Sequence, residues 1–301
     1  MDSETPIRRV RVLINPNSGL WWSSSSLQQS LERHWNVEGI DLAYQYSRSP
    51  EDGRAKALRA VEDGAETVLV VGGDGMVNSI GSALVNTGVA LGVIPAGSGN
   101  GFARHFDVPL NAEGAVSALL DGHRISIDVG TANGRPFFVT CSLAWDAALV
   151  RTFEKSPIRG ILPYVFAAAY EFLDYKTQPF EVVLDGEERL SFSNPLLFTV
   201  ANLTQFGSGA QVAPQARPDD GFLELVQISR QDAPAVLAHL PRLFQGTLDQ
   251  LPQVVTRRFR SLTVHRREAG PMQVDGELVE APADVTVDVL PRALTVLVPK
   301  R

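Results

Sequence analysis

Residues 71–78 read VGGDGMVN and follow the apolar run TVLV at residues 67–70. Three glycines and one carboxylate therefore stand where a buried strand runs out. Glycine removes the side chain, so backbone N–H groups can approach a ligand and φ can turn positive. A strand feeding a glycine-rich turn and then a helix is one way to build a phosphate cradle, because a helix N-terminus adds unpaired donors and positive dipole. A tight strand-to-helix turn, with Asp74 capping the next helix, explains the same residues. Both readings stand on this stretch alone.

The surrounding sequence alternates two periods. RVRVLIN (9–15), LAYQYS (42–47), TVLVV (67–71) and VALGVIP (89–95) read as strands. Between them SLQQSLERHW (26–35) has apolar residues at helical spacing. Ser49-Pro50-Glu51-Asp52 supplies an N-cap, a first-turn proline and early acids for a helix through Val61, and Met76–Val85 forms another. Short apolar strands separated by helices indicate a parallel sheet covered on both faces. Near Arg124 the pattern changes. RISIDVGTANGRPFFVTCSL (124–143) is two β-rich runs joined by Asn133-Gly134, a hairpin signal. Helical segments are expected at about 147–153 and 161–174. Strands follow at 180–192, 196–202, 222–228, 260–266, 272–277, 284–290 and 293–299, with one helix at 233–244. The expected fold class is an α/β domain over 1–128, completed by a last strand at 291–301, plus a mainly antiparallel β-sandwich domain over 129–290. A cleft between the domains is the default ligand site.

Composition narrows the function classes. With 301 residues, 44% hydrophobic and 20% charged, the chain is globular rather than disordered. A net charge of -7 argues against bulk nucleic-acid binding. One cysteine, Cys141, excludes an intrachain disulfide framework and multi-cysteine zinc sites, and it reads as core. The start, MDSETPIRRVRVLINP, has no apolar segment of signal-peptide length. ILPYVFAAAYEFL (161–173) is too short to cross a bilayer and contains Glu171. The expectation is a cytoplasmic protein with at most transient, peripheral membrane contact.

Three glycine-rich turns end predicted strands of the first domain: NPNSG (15–19), GGDG (72–75) and PAGSGN (95–100). In a parallel α/β sheet those ends share one edge, where ligands bind. None carries the lysine of GxxxxGK[ST], and no GxGxxG follows the first strand, so neither a P-loop of that type nor a dinucleotide fold is supported. Together NPNSG, GGDGMVN and PAGSGNGFAR resemble the catalytic domain of the diacylglycerol kinase and sphingosine kinase superfamily, nearest to its soluble two-domain bacterial lipid kinases. IDVG (127–130), APQARPDDGFLEL (213–225) and VDGE (274–277) match in the family's order and extend the resemblance over nearly the whole chain. NAD kinases share a GGDG loop, but PAGSGN and the later DDG and DGE favour lipid kinases.

The resemblance implies a nucleotide loop at Gly72, Gly73, Asp74 and Gly75. Further ATP contacts fall on Asn15, Pro16, Asn17, Ser18, Gly19, Asn78, Gly97, Ser98, Gly99 and Asn100. Ser47 stands where the family usually has a threonine. Asp74 suits a Mg²⁺ bridging phosphates, with a structural cap as its alternative. The family's general base maps to Asp275, with Glu277 as partner. A second DGE, at 185–187, reads as a hairpin turn. RPDDGF resembles a structural Mg²⁺ loop, with Asp220 as carboxylate and the carbonyls of Arg217 and Phe222 as ligands; Asp128 either joins this cluster or caps the domain junction, and a plain β-turn explains DDG as well. Met76, Ser79 and Gly101 depart from the family's threonine, glutamate and aspartate, which leaves a backbone cradle intact and puts acceptor specificity and side-chain metal ligation in question. The histidines show no metal spacing. Trp21-Trp22 reads as packing under a loop or as a lipid contact. RRFR (257–260) and HRR (265–267) read as a solvated strand face or a basic membrane strip. The resulting expectation is an ATP- and Mg²⁺-dependent lipid kinase, diacylglycerol being the first acceptor. Its partner is a lipid substrate at a membrane surface, and a homodimer is compatible. An NAD-kinase-like enzyme with a soluble acceptor and a non-catalytic nucleotide- or lipid-binding regulator remain as alternatives.

Overall fold

The computed structural model describes residues 8–16, 24–145, 147 and 176–300. The chain divides into two compact units. The first extends to Ile127 and takes back the chain from Arg292 onward; the second is Asp128–Pro291.

In the first unit β1 (Arg8–Ile14), β2 (Ile40–Tyr46), β3 (Thr67–Gly72) and β4 (Ala90–Pro95) lie in the order β2-β1-β3-β4, all parallel. The chain's last strand joins beside β4, also parallel, with Thr295 opposite Ala90. Every residue of β3 and β4 is buried, as expected for strands covered on both faces. The connections hold α1 (Ser24–Trp35), α2 (Pro50–Glu62), α3 (Asp74–Leu84), α4 (Gly101–His105) and α5 (Ala112–Leu120). Ser49 caps α2 by accepting the Asp52 N–H, with Pro50 in the first turn, as the sequence indicates. The α4 and α5 helices were not read from the sequence. Their only local signal is Asn111, whose side chain accepts the Gly114 N–H and starts α5. Trp35 on α1 ties the two outer helices together, its indole N–H donating to the Val116 carbonyl at 2.9 Å.

The chain enters the second unit along β5 (His123–Ala132) and turns back into β6 (Arg135–Phe137). Asn133 and Gly134 have φ of 47° and 77°, the two positive values that a tight hairpin needs. Then come β7 (Thr140–Ser142), β8 (Phe180–Leu184), β9 (Glu188–Phe192), β10 (Pro195–Ala201), a small hairpin of β11 (Gln205–Gly207) and β12 (Ala210–Gln211), and β13 (Leu223–Ser229). They are followed by α6 (Ala233–Gln245), β14 (Val254–Phe259), β15 (Ser261–Arg266), β16 (Gly270–Val274), β17 (Glu277–Ala281) and β18 (Asp284–Val298). One antiparallel sheet has the order β14-β13-β10-β7-β16-β17; in the other, β9-β8-β15 continue to the first half of β18. Phe180 and Phe192 pack edge-on against Phe198, with centroids 5.0 and 6.0 Å apart, at the heart of a shared core. This is the antiparallel sandwich that the alternating runs imply.

The sequence reads as separate strands at 284–290 and 293–299, yet β18 is continuous from Asp284 through Pro291 to Val298. Arg292, at φ 51°, absorbs the irregularity without ending the strand. The helices expected at about 147–153 and 161–174, and Trp21-Trp22, fall outside the described residues, apart from a buried Ala147.

Gly130 on β5 faces Phe137 across the hairpin, and a Cβ there would stand 2.1 Å from the ring. Gly130→Ala is expected to lower unfolding stability by about 1–3 kcal/mol through overpacking, read from the urea midpoint; an unchanged midpoint would show that the ring moves aside freely.

Candidate active site

The carboxyl ends of β2, β1, β3 and β4 line one edge, and backbone hydrogen bonds stitch the turns that leave them. The Ser47 N–H donates to the Ile14 carbonyl at 2.8 Å, Asn15 to Val71 at 3.1 Å, and Ala96 to Gly72 at 3.0 Å. The expected nucleotide residues Asn15, Pro16, Ser47, Gly72–Gly75 and Gly97–Asn100 therefore share this edge; Asn17, Ser18 and Gly19 lie outside the described residues. Two of the turns touch through bare backbone. A Cβ on Gly97 would come within 2.5 Å of the Gly73 Cα, and one on Gly73 within 3.0 Å of the Gly97 Cα. Asn100, left-handed at φ 52°, closes its own turn twice: its Oδ1 accepts the Gly97 N–H at 2.9 Å and its Nδ2 donates to the Gly97 carbonyl at 2.7 Å.

Asp74 is the first residue of α3, but its carboxylate serves another helix. Its two oxygens accept the N–H groups of Gly101 and Phe102, each at 3.0 Å, capping α4. Burial pushes this carboxyl above the ordinary carboxylate range, and the two amides oppose the shift. These two N–H groups take up two of the roughly four lone-pair sites of the carboxylate. Its cap lies 27 residues downstream, not on the helix that follows it. Ser47 is buried and donates its hydroxyl to the Ser49 carbonyl at 2.7 Å, bracing the start of α2; Asn78 is buried within α3, and Ser98 is exposed.

In the second unit Asp275 and Gly276 form the two-residue turn between β16 and β17, at φ 47° and 86°. The Asp275 carboxylate is buried and accepts three backbone N–H groups, from Phe138 at 2.8 Å, Val139 at 2.8 Å and Thr140 at 3.0 Å. Of roughly four lone-pair sites on a carboxylate, three are thereby directed at backbone. Glu277, one residue beyond the turn, pairs with Arg135 at 2.6 Å. Gln273 fixes the same turn from inside. Its Oε1 accepts the Gly276 N–H at 2.8 Å, and its Nε2 reaches the hydroxyls of Thr140 at 3.2 Å and Ser142 at 3.3 Å. Asp185, in the other DGE, caps the amides of Arg260 and Ser261 at a plain hairpin.

The RPDDGF loop is tied down by protein groups. Asp128 is fully buried; its Oδ2 accepts the Gly221 N–H at 2.7 Å, and its N–H donates to the Pro218 carbonyl. Asp220 accepts the Phe222 N–H at 3.1 Å and forms an ion pair with Arg258. The guanidinium groups of Arg258 and Arg260 lie 4.6 and 4.7 Å from the Phe222 ring centre. No cluster of three or more His, Cys, Asp or Glu side chains suited to a metal occurs among the described residues. This arrangement fits Arg258 as the counter-cation of Asp220 better than it fits a divalent ion, which would have to displace the guanidinium. The RRFR run is therefore engaged within its own unit, Arg257 pairing with Glu188 at 3.0 Å.

Against known proteins, residues 9–132 match the diacylglycerol kinase catalytic domain, and residues 140–298 match the YegS C-terminal NAD kinase beta sandwich-like domain. A diacylglycerol kinase of Mycobacterium tuberculosis (strain H37Rv) is 30% identical over 302 residues, covering 98% of this chain and 96% of that one. The chain belongs to the diacylglycerol kinase family. A diacylglycerol kinase of Staphylococcus carnosus (strain TM300) is 26% identical over 277 residues, 90% of this chain and 89% of the relative. A crystal structure of a Bacillus anthracis (strain Sterne) diacylglycerol kinase shares the fold, with a TM-score of 0.72 and 18% identity over 97% of each chain.

Met76 packs so closely over Gly72 that a Cβ on that glycine would lie 2.9 Å from it. Gly101 contributes only its N–H, to Asp74. Ser79 donates its hydroxyl to the Pro50 carbonyl at the start of α2. Sequence reasoning missed Gln273, Arg135 and Glu224, and it read Arg258, within RRFR, as a solvated face or membrane strip rather than as the partner of Asp220. Gln273 alone carried a local signal, being two residues before Asp275.

Glu224 on β13 is buried opposite Arg258 on β14. Burial, with help from Asp220 and Asp249 and against the pull of Arg258, raises its pKa from 4.5 to about 7. The fold thus favours the protonated acid. That contribution is full below about pH 4.5 and is lost as pH rises through 7. Glu224→Gln is expected to exceed wild type in stability by about 1–2 kcal/mol at pH 8 and to match it near pH 4. Parallel urea curves at both pH values check this; a constant difference would refute the linkage.

Proposed function

We propose that the chain is a lipid kinase that transfers the γ-phosphoryl group of ATP to a hydroxyl of a membrane lipid, diacylglycerol being the first acceptor. The observation that carries this reading is the bare contact of Gly73 with Gly97, where two strand-end turns meet with no side chain between them. Such a surface suits phosphate oxygens, which need close backbone donors rather than side-chain bulk. The Gly101 and Phe102 amides at the start of α4 are already directed at Asp74, so the phosphate seat falls to the turns themselves and to the start of α3. Mg²⁺ accompanying ATP supplies neutralisation of phosphate charge when bound. The names of the relatives support the lipid acceptor.

Phosphoryl transfer asks the protein mainly for positioning, charge stabilisation and a proton acceptor. In this reading Asp275 takes the proton of the attacking hydroxyl. Its three amide bonds fix its oxygens before substrate arrives, so little reorganisation accompanies the step. Glu277, held by Arg135, is the second carboxylate of the turn. The name of the second matched domain keeps one rival in view, a phosphotransferase with a soluble acceptor.

ADP release with Mg²⁺-ATP over a panel of micellar lipids separates these readings. Lipid-dependent turnover is expected, falling by roughly 10²-fold or more in Asp275→Asn. Asparagine replaces one amide-accepting oxygen by a donor, so a lower Tm is also expected and rates are compared below that transition. Full activity of the variant would move the base elsewhere, and turnover indifferent to micelles would favour the soluble acceptor.

A further inference from the structure

A kinase acting on a bilayer lipid must reach the bilayer, and among the described residues no helix is long and apolar enough to cross one. A helix lying in the surface of the bilayer is one way to make that contact. The α6 helix differs there from an ordinary surface helix. Asp232 caps it, accepting the Ala235 N–H at 3.0 Å, and Gly246, left-handed at φ 64°, ends it. Leu243 packs against a core of its own unit that includes Val212, Val226 and Leu248. The outward positions, where charged side chains are usual, are instead mostly apolar. Leu240 is 38% and Phe244 52% exposed, one turn apart, and Ala238 and Pro241 are exposed beside them. No acidic residue occurs from Ala233 to Leu248, although the whole chain carries a net charge of -7. The helix's own charge is cationic: Arg242 is exposed, and its guanidinium reaches the Thr247 hydroxyl at 3.4 Å.

We propose that α6 is a membrane-docking element that lays Leu240 and Phe244 into the surface of a bilayer carrying anionic headgroups; this rests on the lipid-kinase reading above. Two observations favour a bilayer over a second copy of the chain. A 13-residue helix presents a face about 20 Å long and 10 Å wide, roughly 200 Å², against about 800 Å² per partner in a stable dimer. An acid-free helix with one exposed arginine on an acidic protein is complementary to anionic lipid, and the rest of the charge acts only within a Debye length of about 8–10 Å. Apolar side chains flanked by a cation are the chemistry of an interfacial helix. The alternative basic strip, RRFR, is less suited, because Arg257 and Arg258 are paired with Glu188 and Asp220.

The test compares wild type with the double variant Leu240→Ser/Phe244→Ser and with Arg242→Ala. Co-sedimentation uses vesicles of phosphatidylcholine with and without phosphatidylglycerol, and Tm, light-scattering mass and ADP release on micellar diacylglycerol are measured alongside. Wild type is expected to bind the phosphatidylglycerol vesicles, and the double variant at least about tenfold more weakly, with Tm showing that it remains folded at the assay temperature. Arg242→Ala is expected to weaken binding by a few-fold and to lessen its salt dependence. Equal sedimentation of wild type and double variant would overturn the proposal, as would a dimer abolished by the double variant with vesicle binding unaltered. Vesicle binding without turnover on any lipid would sink the kinase reading and leave the docking helix standing; turnover on micelles without vesicle binding would do the reverse.

Discussion

Two neighbouring parallel strands, β3 and β4, end in turns that touch through glycine Cα atoms, and this contact constrains everything at the sheet edge. Because Gly73 and Gly97 lie closer than any side chain allows, the turns form one continuous backbone surface. Asn100 holds the second turn in shape by bonding both polar atoms of Gly97. Asp74 then ties the first turn to α4. The carboxylate is costly to bury, as its raised pKa shows, and its amide bonds offset that cost only in part.

The second unit solves a similar problem with the opposite polarity. There a carboxylate is presented by a tight turn and held by backbone donors. Asp275 spans the turn to the 138–140 segment, while Gln273 locks Gly276 and extends through Thr140 and Ser142 to Thr199. All of these side chains are buried, so each hydrogen bond left unmade would cost about 1–3 kcal/mol. The 217–222 loop follows the same logic, with Asp128 on its backbone and Arg258 against Asp220.

The sequence made the architecture legible where the signal was local. Burial on both faces of β3 and β4, the Ser49 cap of α2 and the Asn133-Gly134 hairpin each follow from spacing within a few residues. The motif residues of the sheet edge were legible too, because strand ends in a parallel sheet must share an edge. What stayed hidden was pairing at long range. Asp74 meets Phe102 across 28 residues, Arg258 meets Asp220 across 38, and Gln273 meets Thr140 across 133. No periodicity encodes such contacts; they appear only once strands are in register. The same reason explains why β18 looked like two strands: Pro291 is a local stop signal that the pairing on either side overrides.

The most direct measurement is the Kd of Mg²⁺-ATP for wild type and for Gly97→Ala, with far-UV circular dichroism and Tm confirming that both are folded. A methyl group at residue 97 must push the two turns apart. Affinity weaker by about tenfold or more, equivalent to about 1.4 kcal/mol, is expected if these turns seat the phosphates. An unchanged Kd in a folded variant would contradict the phosphate role of the sheet edge and, with it, the kinase reading.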